Sequence, residues 1–262
     1  MNILRTRFKK DIVCEFIPPA SVRKRGLRRD KPALPKSKVI IFCGGMPGLP
    51  RFPEVLEFWS KKGFWVFFPR YRGTWESDGE FLKESPEKDI LDVIDEIPKG
   101  FTALWSGLSY KLSAKSYKLF IFGGSFGGPA AILCSRDKRV TKAVAFAPVI
   151  DWEAPSEEEP MDKLGAFIPK GFGNGYRFSP KNWKRLSENK FYSPIKEADS
   201  IDGKKLLIFH AKDDESCHYP ATKTFAEKTG AKLITLRTGG HFGISKSIEP
   251  SFYKHIKKFL SC

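Results

Sequence analysis

Six short apolar runs recur along the chain: "KVIIFCG", "GFWVFFP", "YKLFIFG", "VTKAVAFAPV", "KLLIFHA" and "AKLITLR". Each has the length of a strand and is bounded by glycine, proline or charge. They are apolar almost without a break, as strands are when both faces of a sheet are covered, and that points to parallel pairing. Helical patterns lie between them. "FPEVLEFWSKK" is one. "SPEKDILDVIDEI" is another, with Ser85 and Pro86 as a start signal and Ile90, Ile94 and Ile97 on one face. "YPATKTFAEKTG" stops on Gly230, and "PSFYKHIKKFL" aligns Phe252, Ile256 and either Phe259 or Leu260. Such alternation predicts a doubly wound, mostly parallel α/β sheet with helices on both faces.

Two segments depart from the alternation. Before about Lys36, the strand-like "DIVCEFIPP" predicts one or two antiparallel edge strands. From Trp152 to Ser200, "APSEEEP", "GFGNG" and several aromatics predict a small lid-like excursion over the sheet. The whole chain, 1–262, is expected to form one domain.

Charge and cysteine usage narrow the class. The formal net charge is +16, with basic runs in "SVRKRGLRRDKP", "PKNWKRLSENK" and "KHIKKFLSC". No nucleic-acid-binding motif accompanies them, so the charge reads as a lysine-rich soluble surface, with no specific nucleic-acid partner. The five cysteines (Cys14, Cys43, Cys134, Cys217 and Cys262) are scattered, odd in number and without a CxxC pair. That argues against a disulfide framework or zinc site and for a reducing compartment. No run is long enough for a signal peptide or membrane span, and the protein is expected to be cytoplasmic.

Chemistry enters at "LFIFGGSFGGPAAILC", where Gly123-Gly124-Ser125-Phe126-Gly127 has the G-x-S-x-G form of a strand–serine–helix turn. A serine hydroxyl is a poor nucleophile and needs a base that is itself oriented by an acid. The chain has four histidines. His210 lies inside an apolar strand run and reads as a packed or hydrogen-bonded structural residue. His255 sits between lysines on the last helix, and His218 follows an acidic loop. His241, in "TGGHFG" after the last strand run, occupies the strand-end position where open α/β sheets carry functional residues. It is the expected base. In "LLIFHAKDDESCHYP", Asp214 is preferred as the acid over its neighbour Asp213 and over Asp151 of "APVIDW". The oxyanion donors are expected to be the amides of Phe126 and of Met46, the latter in the early loop "IFCGGMPGLP". No metal-spaced cluster or dinucleotide fingerprint appears, and no cofactor is expected.

These residues resemble the α/β-hydrolase superfamily, and most of all the catalytic domain of prolyl oligopeptidase-like and acyl-transferase-like serine hydrolases. The resemblance runs from about Val39 to the C-terminus. It rests on "GGMPG" against the oxyanion loop HGxPG, on "GGSFGG", on "HAKDDESCHYP" against H-G-x-x-D-x-x-V-P, on "GGHFG", and on the Ser-Pro segment "FYSPIKEADSIDGKKLLIFHA". It implies Ser125, Asp214 and His241 as nucleophile, acid and base. Departures are Arg70 for an aspartate and Trp75 for a glycine in "RYRGTWESDGEF", Gly44 for the oxyanion-loop histidine, and Cys217-His218 for Val-Pro. They leave the chemistry intact and bear on substrate preference, with Tyr71 and Trp75 as candidate pocket residues.

The expected function is a serine hydrolase that cleaves a carboxylic ester, or a thioester or small amide, through an acyl-enzyme. Two rivals stand beside it. One is an exopeptidase on short peptides, which requires an acidic amine-binding site facing Ser125; the run "SEEEP" reads instead as a solvated linker. The other is a non-catalytic protein of the same fold that binds an anionic partner through its basic surface.

Overall fold

The computed structural model describes residues 3–24, 37–113, 117–156 and 158–261. Cys262 and much of the basic run over residues 21–32 lie outside the described residues. In chain order the elements are β1 (Leu4–Phe8), β2 (Ile12–Ile17), α1 (Ala20–Lys24), β3 (Ser37–Cys43), α2 (Pro53–Lys61), β4 (Phe64–Pro69), α3 (Glu87–Glu96), β5 (Phe101–Thr102), β6 (Ser109–Tyr110) and β7 (Tyr117–Gly124). There follow α4 (Gly127–Cys134), β8 (Val140–Phe146), α5 (Met161–Phe172), α6 (Pro180–Ser187), β9 (Leu206–Ala211), α7 (Tyr219–Thr229), β10 (Lys232–Leu236) and α8 (Pro250–Ser261).

Eight strands form one sheet in the order β1-β2-β4-β3-β7-β8-β9-β10. β1 pairs antiparallel with β2, and β2 antiparallel with β4. Within this sheet every pairing from β4 to β10 is parallel, and β5 and β6 form a separate antiparallel pair. The six apolar runs are therefore the six parallel strands. β1 is the antiparallel edge strand, whereas β2, expected at an edge, is buried along its whole length between β1 and β4. The short helix α1 follows β2, and residues 25–36 of the expected edge region lie outside the described residues.

The period of two in each strand divides these near-continuous apolar runs between two cores. Val39 and Ile41 of β3, Trp65 and Phe67 of β4, and Leu119 and Ile121 of β7 face a layer that includes Ile90, Val93 and Ile94 of α3, α4, and Phe225 of α7. Their neighbours Ile40, Phe42, Val66, Phe68, Phe120 and Phe122 face α2 (Val55, Leu56, Trp59) and α8 (Phe252, Ile256, Phe259). Helices thus cover both faces. The helix stop at Gly230 takes the left-handed conformation (φ +73°) that ends α7.

The stretch "RYRG" that leaves β4 carries a charge network. Buried Arg70 meets Glu15 of β2 at 3.0 Å and Glu76 at 3.6 Å, and Arg5 of β1 reaches the same two carboxylates at 3.2 and 3.1 Å. Arg72 binds Asp11 and Asp89 through hydrogen bonds of 2.6 and 2.5 Å and Asp92 at 2.8 Å. These pairs tie the antiparallel edge to the loop after β4. Because β3, β7, β8, β9 and β10 are parallel, the loops that leave them all emerge along one rim of the sheet, where the candidate residues lie.

Candidate active site

Ser125 stands between the end of β7 and the start of α4 with φ at +52°, a conformation that costs a non-glycine residue about 1–3 kcal/mol. The backbone holds it there at both ends. Its amide donates to the Phe146 carbonyl at 2.9 Å, and its carbonyl accepts from Gly128 at 2.9 Å and Val149 at 3.3 Å. The flanking glycines follow from close approach. A Cβ at Gly127 would lie 2.2 Å from the Cys43 carbonyl oxygen, and one at Gly124 would lie 2.8 Å from Gly243 Cα. The second contact sets the His241 loop directly against the Ser125 turn. Gly45, in the loop after β3, approaches closely enough that its Cβ would touch that of Ser125 at 3.5 Å.

The loop after β9 supplies the carboxylates. Asp214 is buried, and its two oxygens lie 3.2 and 3.0 Å from His241 Nδ1. It also accepts from the amides of Ser216 (3.0 Å) and Cys217 (2.8 Å) and meets His210 Nε2 at 3.0 Å. Burial alone would raise this carboxyl. The hydrogen bonds from His210, His241 and Cys217, with the charge of His241, overcome it and hold Asp214 well below the usual carboxylate range. His241 is pushed down by burial, but the Asp214 hydrogen bond and charge, then Glu159 and Glu158, lift it above the ordinary histidine value. With the Asp214 bond taking the Nδ1 proton, Nε2 keeps a free lone pair. The hydrogen bonds of the His241 ring among the described residues are both to Asp214. The Ser125 hydroxyl rests beside the Cys217 thiol.

Asp213 does something else. Its carboxylate accepts from the amides of Gly239 (3.1 Å) and Gly240 (3.0 Å) and so fastens the loop that presents His241. Asp151 is held by Asn189 Nδ2 at 2.7 Å and the Glu153 amide at 3.0 Å, away from His241's ring contacts. His210 is fully buried, as a structural histidine should be. Its Nε2 lies 2.8 Å from the Cys217 carbonyl as well as 3.0 Å from Asp214, so that nitrogen carries the proton and Nδ1 accepts from Thr222 Oγ1 at 2.8 Å. His210 is thus a second imidazole on Asp214, a link that its place inside an apolar run did not reveal.

A narrow cleft, open to solvent, lies over Ser125. Its walls include Met46, Phe126, Ile150, Trp152, Leu164 and Cys217, together with Ser156 and Glu159 of the acidic run and the exposed His218. The run "SEEEP" is therefore not simply a solvated linker: Glu159 is half-buried in the cleft wall. The amides of Met46 and Phe126 take no part in the backbone hydrogen bonds of the described loops. Tyr71 and Trp75 do not line this cleft. They line an adjoining depression with Gly44, Thr74 and Tyr176, and Met46 borders both. Tyr71 is buried, its ring edge-on to Phe126 at 5.7 Å, and Trp75 is half-buried against Tyr176.

Residues 50–261 match the prolyl oligopeptidase family. The chain belongs to that family. Membership, with the eight-stranded architecture, makes it a serine hydrolase of α/β-hydrolase fold. Solved structures of similar fold include an esterase of Pyrococcus furiosus, with a TM-score of 0.66 at 15% identity over 99% of this chain and 90% of that one. Est1E from Butyrivibrio proteoclasticus, with ferulic acid bound, matches at a TM-score of 0.60 and 16% identity over 99% of this chain and 100% of its own. An acylaminoacyl peptidase of Pyrococcus horikoshii gives 0.61 at 16% identity, with 98% of this chain spanning 40% of that one. No curated protein matches the sequence. Among the described residues, no helix is long and apolar enough to cross a membrane.

Proposed function

We propose that the chain hydrolyses carboxylic esters through an acyl-enzyme formed on Ser125, with His241 as general base and acid and Asp214 as the group that orients it. The observation that carries this reading is the Asp214–His241 hydrogen bond, held against the Ser125 turn by the Gly124–Gly243 contact.

A rotation about Ser125 χ1 turns its hydroxyl from Cys217 towards His241 Nε2. His241 takes the proton as Oγ attacks the ester carbonyl, and the amides of Phe126 and Met46 receive the developing oxyanion, each worth about 3 kcal/mol at a formed site. Collapse expels the alcohol, which takes the proton from Nε2. Water then attacks the acyl carbon, His241 accepts its proton, and the carboxylic acid departs as the proton returns to Ser125. Asp214 stabilises the imidazolium at each stage without itself being protonated. Trp152, Glu159, Met161 and Leu164 wall the cleft, and Tyr71 and Trp75 border the depression that adjoins it.

The test is labelling with a fluorophosphonate probe alongside turnover of short p-nitrophenyl esters. Ser125→Ala and His241→Ala are expected to abolish labelling and lower kcat by at least about 10⁴-fold. Folded wild-type protein that neither labels nor turns over an ester would sink the reading.

A further inference from the structure

The wall of the Ser125 cleft has a charge pattern opposite to that of the chain. The sequence carries 46 lysines and arginines against 30 aspartates and glutamates, yet no lysine or arginine lines this cleft among the described residues. Its carboxylates are Asp151 and Glu159, and Asp151 is engaged by Asn189 and the Glu153 amide. The Glu159 carboxylate has neither an ion pair nor a hydrogen bond to a described residue, although it is half-buried.

Its position is fixed by its neighbours. The Glu159 amide donates to Ser156 Oγ at 3.0 Å, and that hydroxyl donates to the Glu215 carbonyl at 3.3 Å. Glu158 accepts from Ser216 Oγ at 2.8 Å. The acidic segment is thus fastened to the loop that carries Asp214. The remaining wall is largely apolar: Met46, Phe126, Val149, Trp152, Met161 and Leu164. A half-buried carboxylate without a partner, at the side of an apolar cleft, is complementary to an aliphatic group that ends in a positive charge.

We propose that Glu159 is a specificity residue that selects substrates bearing a cationic nitrogen, paired with its carboxylate while Ser125 attacks. The inference rests on the hydrolase reading and names its substrate class. Burial raises the Glu159 carboxyl above its ordinary value and His241 opposes that shift, consistent with a carboxylate in reach of the site's field. A bound cation would pair with a carboxylate that no described residue engages.

The experiment compares isosteric substrates that differ only in charge. One series carries the charge on the acyl side: p-nitrophenyl esters of trimethylammonio-alkanoates against their tert-butyl analogues. The other carries it on the alcohol side: choline acetate against 3,3-dimethylbutyl acetate. Wild type is expected to favour the cationic member of at least one series by about tenfold or more in kcat/KM. Glu159→Gln should collapse that ratio towards one, and Glu159→Lys should invert it. Should Glu159 act only through the His241 field, both members would change together and the ratio would survive Glu159→Gln, which overturns the proposal. A wild-type ratio of one in both series, in protein that labels with fluorophosphonate, overturns this proposal alone. Folded protein that fails to label overturns the hydrolase reading and this proposal together.

Discussion

Nδ1 of His241 lies 3.0 Å from one oxygen of Asp214 and 3.2 Å from the other, so a single carboxylate both orients the imidazole and favours its charged form. Burial works against that charge, and the carboxylate wins. The base acts in its neutral form, so a raised pKa moves the acidic limb of activity upward. The limb of kcat/KM is expected above the ordinary histidine value of about 6.5. Glu159→Gln removes one of the charges that raise it and should shift the limb to lower pH. A pH–rate profile of the wild type checks the first point, and a limb at or below 6.5 contradicts it.

Adjacent aspartates give unequal losses. Asp214→Asn should lower kcat by about 10³–10⁴-fold, because the amide cannot hold the imidazole in its working tautomer. Asp213→Ala removes only the two loop amide contacts, and its kcat is expected to stay within about tenfold of wild type. Steady-state kinetics on both variants decides the order. Equal losses would reject Asp214 as the orienting acid.

Gly127 admits no side chain. Ala at this position would drive its Cβ to 2.2 Å from the Cys43 carbonyl oxygen, where backbone meets backbone and neither can turn away. Gly127→Ala should cost about 2 kcal/mol or more and lower Tm by about 5 °C or more. Calorimetry on the variant measures it.

Arg70 is a buried cation between Glu15 and Glu76. Arg70→Met leaves Glu15 buried with Arg5 as its remaining cation and should destabilise the fold by about 3 kcal/mol. Arg70→Met combined with Glu15→Leu removes the stranded charge as well and should recover most of that loss. A double-mutant cycle in urea reports the coupling, and additive losses would show that the pair is not coupled.

Parallel strands covered on both faces leave a one-dimensional trace, and β3, β4, β7, β8, β9 and β10 coincide with their apolar runs. Helix punctuation was equally readable: Pro86 immediately precedes α3 and Gly230 follows α7. Asp214 and His241, chosen from their positions after strands, are hydrogen-bonded to one another. Other features leave no such trace. β5 and β6 have two residues each, too few for a period. The His210–Asp214 contact crosses a strand-to-loop bend, and no repeat records it. Glu159 stands in a run of like charges that reads as solvated by composition. Only the path of the chain after β8, which lays that run against the Asp214 loop, shows that one of its carboxylates faces the cleft.

β10 is the outermost strand, bonded to β9 on one side only, and none of its five residues is fully buried. The serine turn leaves β7, between β3 and β8 at the middle of the sheet. The two partners of the proposed proton transfer therefore belong to regions of unequal tenacity. Amides at the margin open to solvent exchange at lower free-energy cost than those at the centre. The loop that carries His241 is therefore expected to loosen on warming before the aromatic layers beneath the serine do. On heating, activity is expected to fade before the far-ultraviolet signal does, and parallel activity and circular-dichroism melts check that order.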